Sequence, residues 1–183
     1  AWVAAARAKD GKTNVGAVGT GSSNHLVGEL LKRNAKVTAQ HVPYAGAAPL
    51  AVAVMSGEVD MAVLDVGAVL PHVMGGNMVA LAVASTKRSE FLPEVPTTAE
   101  SGFPKLVAEN VYGLFQPVGV PADVQARLAA AMRQALATDA LREQYRKAGL
   151  VPYASSGAEL DAQVKASTDQ FVPLVRDLKI RID

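Results

Sequence analysis

The residues best suited to chemistry lie together in Gly19-Thr-Gly-Ser-Ser23, with His25 two positions further on. Glycine at 19 and 21 frees the backbone to turn sharply without Cβ clashes, and Ser22 or Ser23 can cap the helix that follows. The N–H groups of a first helical turn lack intrahelical partners. With the positive end of the helix dipole they attract carboxylate or phosphate without a lysine. Asn14 to Val18, just ahead, has the small and β-branched character of a short buried strand, so the stretch reads as strand, turn and helix start.

Three named motifs compete for this glycine cluster and none fits. A dinucleotide fingerprint needs a third glycine where Asn24 stands, and the next strand, Lys36 to Tyr44, ends without the acidic residue that would hold a ribose. A P-loop needs Gly-Lys-Ser/Thr, but Gly21 is followed by Ser22-Ser23. A serine nucleophile in G-x-S-x-G needs a glycine two residues after the serine, and neither Ser22 nor Ser23 has one. The alternative to an anion site is a tight turn ahead of an ordinary capped helix.

Two further loops carry candidate groups. Tyr44, Gly46 and Ala47 sit where Pro43-Tyr-Ala-Gly-Ala-Ala-Pro49 leaves a strand, and the Tyr44 ring either lines a pocket or wedges the loop. Asp65 follows an apolar strand, so its carboxylate either points into the loop crevice or caps the next helix. His25 could reach a bound anion, or it is a helix-face histidine bonded to backbone. His41 reads as structural, His72 as surface packing, and Glu58 and Asp60 as strand-edge charges. The three histidines share no i, i+3 or i+4 spacing, so neither a metal site nor a cofactor is expected, and no nucleophile–base–orienter set appears.

These groups need a scaffold, and the composition supplies one. Half of the 183 residues are hydrophobic, mostly alanine and valine, with aromatics at 5%. No apolar run approaches the ~20 residues of a membrane span. Eighteen basic and 17 acidic residues are spread along the chain, so nothing argues for nucleic acid. Without cysteine there is no disulfide, thiolate catalyst or Cys-type zinc site.

The pattern opens on Ala1 to Lys9 as the end of a helix stopped by Asp10-Gly11. Leu26, Leu30 and Leu31 give the helix after Ser23 an inner face, and a strand runs from Val37 to Val42. Helices are expected from Pro49 to Gly57 and from Ala68 to Met74, and strands over Val59 to Leu64 and Val79 to Ala84. This βαβαβαβ rhythm predicts a mostly parallel sheet with helices on both faces, and ligands at the carboxyl ends of its strands. Thr97 to Glu100 reads as a capping box on a short helix ended by Gly102, and Glu109 to Phe115 as a further strand. Beyond Pro121 the chain is mainly helical. Val124, Leu128, Met132 and Leu136 form an apolar stripe, a helix spans Asp139 to Ala148, Ser156 to Glu159 is a second capping box, and Pro173 should kink the last helix.

Taken in order, several motifs resemble those of the Bug-type periplasmic solute-binding proteins of tripartite tricarboxylate transporters. They are Asn14 to Leu26, His41-Val-Pro-Tyr-Ala-Gly-Ala-Ala-Pro49, Gly57 to Met61, Leu70 to Gly76, Leu81 to Ser89, Pro93 to Thr97 and Tyr112 to Pro121. Ala45 and Ala47 stand where lysine and glycine are more usual, Tyr112 where tryptophan or phenylalanine is expected, and Gln116 where alanine is common. The resemblance implies a type II periplasmic-binding-protein fold, a two-domain α/β clamshell that closes on small carboxylates and passes them to membrane permease subunits. It implies a binding protein and not an enzyme, with backbone N–H groups of Gly19 to Ser23 gripping the ligand. It also implies that most of the first domain precedes Ala1. Residues 1–12 would be a remnant of a first-domain helix, 13–112 the ligand-binding second domain, and 113–183 the hinge strand and C-terminal helices that lie on the first domain in the family. A stripe without that partner would seek cover, so a homodimer through the C-terminal helices is expected.

Overall fold

The structure, a computed structural model, describes residues 2–9 and 11–180. Asp10, expected to stop the first helix, lies outside the described residues, as do Ala1 and residues 181–183. The chain divides into two compact units, Ala1–Asn110 with Gln170–Asp183, and Val111–Asp169.

The first unit is a parallel sheet flanked by helices. Its order is α1 (Trp2–Ala8), β1 (Asn14–Val18), α2 (Ser23–Ala35), β2 (Gln40–Tyr44), α3 (Ala47–Ser56), β3 (Met61–Ala62) and α4 (Val66–Met74). Among the described residues the sheet has three strands in the order β2-β1-β3, all parallel, with Val15 opposite His41 on one side and Met61 on the other.

Side chains alternate across a strand, and here the alternation sorts them into two cores. Trp2 and Ala6 of α1 pack with Val15 and Ala39, joined by Leu31, Met61 and Val63. On the opposite face Leu50 and Ala53 of α3 pack with Val59, joined by Val18, Val42, Ala62 and Leu64. Small residues set the spacing. Gly28 and Ala35 are buried on α2, and a Cβ on Gly28 would lie 3.5 Å from Val15, so the helix lies close against β1.

Five readings of the sequence need correction. The fully buried positions of α2 are His25, Gly28 and Ala35; of the expected Leu26, Leu30 and Leu31, Leu31 packs on the core and Leu26 and Leu30 stay half-buried, because small residues allow the closer approach to the sheet. The strand expected over Val59 to Leu64 is reduced to Met61–Ala62, since the N–H groups of Glu58 and Val59 turn back to the Ala53 carbonyl and close α3. Single backbone bonds, Asp60 N–H to Asn14 and Val63 N–H to Gly16, extend its pairing by a residue at each end.

Val79 to Ala84 is not a sheet strand. It makes one isolated bridge, Val83 with Thr97, and leaves Val79 83% exposed, because its bonds go to the local segments at Pro96, Thr98 and Ala108. Glu109 to Phe115 is irregular, with Tyr112, Leu114 and Phe115 exposed.

The capping box at Thr97 is present, the Thr97 N–H donating to Glu100 at 2.7 Å and the Glu100 N–H to Thr97 Oγ1 at 3.1 Å, but it closes turns and no helix. The second unit holds α5 (Ala122–Leu136), α6 (Asp139–Lys147) and the start of α7 (Gly157–Asp177), which carries the box between Ser156 and Glu159 and continues past Pro173. The end of α7 belongs to the first unit, where Leu174 is buried and Gln170 donates to the Val107 carbonyl.

Candidate functional site

Parallel strands end on the same edge of a sheet, so β1, β2 and β3 deliver three loops there, each feeding a helix N-terminus. The first two are tied together: the Gly19 N–H donates to the Tyr44 carbonyl at 3.0 Å. Gly19 and Gly21 have φ of +70° and +80°, in the left-handed region that side chains rarely adopt, which is why glycine occupies both.

Ser22 is the N-cap of α2. Its Oγ accepts the His25 N–H at 3.2 Å and donates to the Gly19 carbonyl at 3.1 Å, pinning both ends of the turn. The Gly21 N–H donates to His25 Nδ1 at 3.0 Å. Among the described residues this leaves the N–H groups of Thr20, Ser22, Ser23 and Asn24 without a protein acceptor, and Thr20 and Ser23 are exposed.

At the second loop Gly46 is the N-cap of α3 and has no side chain to occupy the first turn, so the N–H groups of Ala47 and Ala48 are also unpaired. Tyr44 turns toward the α3 core, and its hydroxyl donates to Glu58 at 2.7 Å; that bond raises its pKa above the ordinary phenol value. At the third loop Asp65 occupies the N-cap position of α4 but makes no capping bond; its exposed carboxylate accepts from Asn110 Nδ2 at 2.6 Å. The edge thus presents donors from three helix starts and one carboxylate, an arrangement suited to a small anion with a polar group beside it.

His25 is buried behind the first loop. With Nδ1 accepting from Gly21, its proton resides on Nε2, 3.4 Å from Glu29. Its ring stacks on His41 of β2, with centroids 3.7 Å apart and planes 22° from parallel. Glu29 also pairs with Lys32, whose Nζ donates to the Ala39 carbonyl at 3.0 Å. Burial lowers the pKa of both imidazoles, His41 to about 4, so the pair is neutral at pH 7. His41 Nε2 is buried and has no hydrogen-bond partner, as suits a ring that stays uncharged.

Sequence reasoning missed this pair. The period of β2 places His41 on an inward face, but no local spacing pairs it with His25 on α2. Among the described residues no group of three His, Asp or Glu could hold a metal ion, and no helix is long and apolar enough to cross a membrane.

The family model described as "Tripartite tricarboxylate transporter family receptor" matches residues 1–180. Protein BugT of Bordetella pertussis is 28% identical over 177 residues, covering 97% of this chain and 54% of its own. Among solved structures, Rpa4515 of R. palustris with adipate superposes with a TM-score of 0.80 at 26% identity, over 98% of this chain and 60% of that one. MatC from Rhodopseudomonas palustris with bound malate gives 0.75 at 27%, over 95% and 60%. The chain spans about half the length of the curated relatives it matches first. The family is one of solute-binding receptors and not of enzymes. With a match running almost end to end and a parallel sheet of the same build, the chain belongs to the tripartite tricarboxylate transporter receptor family.

Proposed function

We propose that this chain carries the ligand-gripping loops of an extracytoplasmic solute-binding protein, which captures small carboxylates in the periplasm and passes them to the membrane permease subunits of a tripartite tricarboxylate-type transporter. The observation that carries this reading is the convergence of three helix N-termini with unpaired N–H groups on one sheet edge. Adipate and malate in the two similar structures are both small dicarboxylates, which supports that ligand class. In this reading residues 13–112 are the ligand-binding domain; α1 and residues 170–183 fold with it, not with the other domain as expected from the resemblance, and 113–169 go with the family's other domain. The carboxylate lies against Gly19, Thr20, Gly21, Ser22 and Ser23, with Gly46 and Ala47 supplying the second loop. Asp65 borders it, and Tyr44, its ring on the α3 core, contributes through the carbonyl that holds the Gly19 N–H.

A thermal-shift screen of the full chain with dicarboxylates, aromatic acids and nucleotides tests the reading. Stabilisation by the dicarboxylates is expected; a response to nucleotides alone would overturn it.

The stripe on α5 is covered at one end only: Leu136 is buried, Met132 partly so, and Leu128 and Val124 are 55% and 36% exposed. A second copy packed on the open end would bury residues that each contribute about 1.5–3 kcal/mol, which makes a homodimer through these helices part of the proposal. A single monomeric species in sedimentation across a wide concentration range would exclude it.

A further inference from the structure

We propose that His25 is a positioning residue for the anion loop, its Nδ1 holding the Gly21 N–H inward so that the turn from Gly19 to Ser23 keeps the one shape that leaves the Thr20, Ser22 and Ser23 donors unpaired. This inference rests on the carboxylate reading above, and concerns a group that does not touch the ligand.

The loop contains two glycines in the left-handed region and so has little intrinsic preference for one conformation. Two bonds restrain its backbone from outside, Gly19 to Tyr44 at its start and Gly21 to His25 at its centre. The second is the more exacting, because a backbone N–H can be held by an imidazole only when the accepting nitrogen is unprotonated. All but one of the groups packed against the ring favour that form. The neutral His41 ring stacks on one face from β2 and helps bury the imidazole away from water, and Lys32 on α2 is cationic. Glu29, the one facing group that would favour protonation, is itself paired with Lys32 and lies at Nε2, where it fixes the tautomer that frees Nδ1. A cation at His25 would attract the anion but lose the Gly21 bond, and the structure keeps the bond.

The distinguishing variants are His25→Asn, whose amide oxygen can stand near Nδ1 and accept from Gly21, and His25→Leu, which cannot. Amide hydrogen exchange at Gly21 and calorimetric titration with adipate and malate would be run on the full chain. Exchange at Gly21 about tenfold faster or more in His25→Leu is expected, with slow exchange kept in His25→Asn. Carboxylate affinity is expected to fall about tenfold or more in His25→Leu and to stay within about threefold in His25→Asn. In the wild type, the protection factor of the Gly21 amide, taken against its intrinsic exchange rate at each pH, should fall as pH drops below the ordinary imidazole range, where protonation removes the acceptor, and this arm holds even if His25→Leu does not fold.

An unchanged Gly21 protection factor, in the variant or across pH, would overturn the proposal, as would a freed Gly21 with unaltered affinity. Failure of the wild-type chain to bind either dicarboxylate would instead count against the carboxylate reading, while the exchange arm still decides whether His25 holds the loop.

Discussion

A Cβ placed on Gly16 would lie 2.3 Å from Cδ1 of Leu50, far inside van der Waals contact. Gly16 is buried in the central strand β1 and Leu50 is wholly buried in α3, so the missing side chain of one is the space that the other fills. Gly16→Ala should therefore destabilise by about 1–3 kcal/mol through overpacking. Leu50→Ala should cost about 2–5 kcal/mol by leaving a cavity. The double variant should cost less than the two together, because the new methyl enters the space that the leucine vacates. Urea unfolding of the three proteins checks this, and strict additivity would show that the two sites do not share that space.

The stacked histidines predict a pH dependence with a definite sign. The His41 pKa is lowered from 6.5 to about 4, first by burial and then by the neighbouring His25, so between those values the unfolded chain binds a proton that the folded one refuses. Stability rises with pH wherever the unfolded state holds more protons. It should be fully present above 6.5 and decline as pH falls toward about 4, with His25 adding in the same direction. His41→Phe keeps a flat ring for stacking and should flatten that part of the profile in urea titrations at successive pH. An unchanged slope would mean that His41 does not contribute to it.

How much of this was legible is best judged residue by residue. The strand, turn and helix from Asn14 onward were readable because local chemistry decides them: glycines where φ is positive, a serine where an N-cap is needed. The failures come from tertiary context. Leu26, Leu30 and Leu31 form the obvious apolar face of α2, but only Leu31 packs on the core; Gly28 and Ala35 allow closer approach and take the fully buried positions. Val79 to Ala84 has the apolar run of an inner strand, yet such a run pairs in the sheet only if neighbouring strands are there to receive it. The His25–His41 contact joins residues 16 positions apart through the register of β2 on α2, which no local spacing reports. The Gly21 N–H, expected among the free donors, is taken by a ring nitrogen four residues later, a local bond that the glycine and serine pattern does not report.

The box at Thr97 predicts a second, more acidic transition. Arg88 holds the Glu100 carboxyl with 3.0 Å bonds from Nε to both oxygens, and the Thr97 N–H adds a third bond, lowering its pKa from 4.5 to about 2. A depressed carboxyl contributes stability that is present above its unfolded value and lost as pH falls through its folded one, so the loss lies between 4.5 and about 2, below the histidine window. Glu100→Gln should remove this part of the acid profile and leave the histidine part intact. Circular dichroism during acid titration separates them, and loss of the histidine transition in that variant would contradict the assignment.

Asp65 offers the sharpest division between structure and selection. Its carboxylate is exposed at the carboxyl end of β3, bonded to Asn110 and not to the helix it precedes. An exposed side-chain pair contributes little, so Asp65→Ala should change stability by no more than about 0.5 kcal/mol. Its effect should fall on ligand choice, since a fixed negative charge repels a misplaced second carboxylate and accepts from a ligand hydroxyl or amino group. In the variant, binding of malate, which carries a hydroxyl, should weaken relative to adipate, which does not. Competition calorimetry with the two acids measures that ratio directly. A variant that loses stability while keeping the wild-type ratio would place Asp65 in the support of α4 and remove it from the ligand edge.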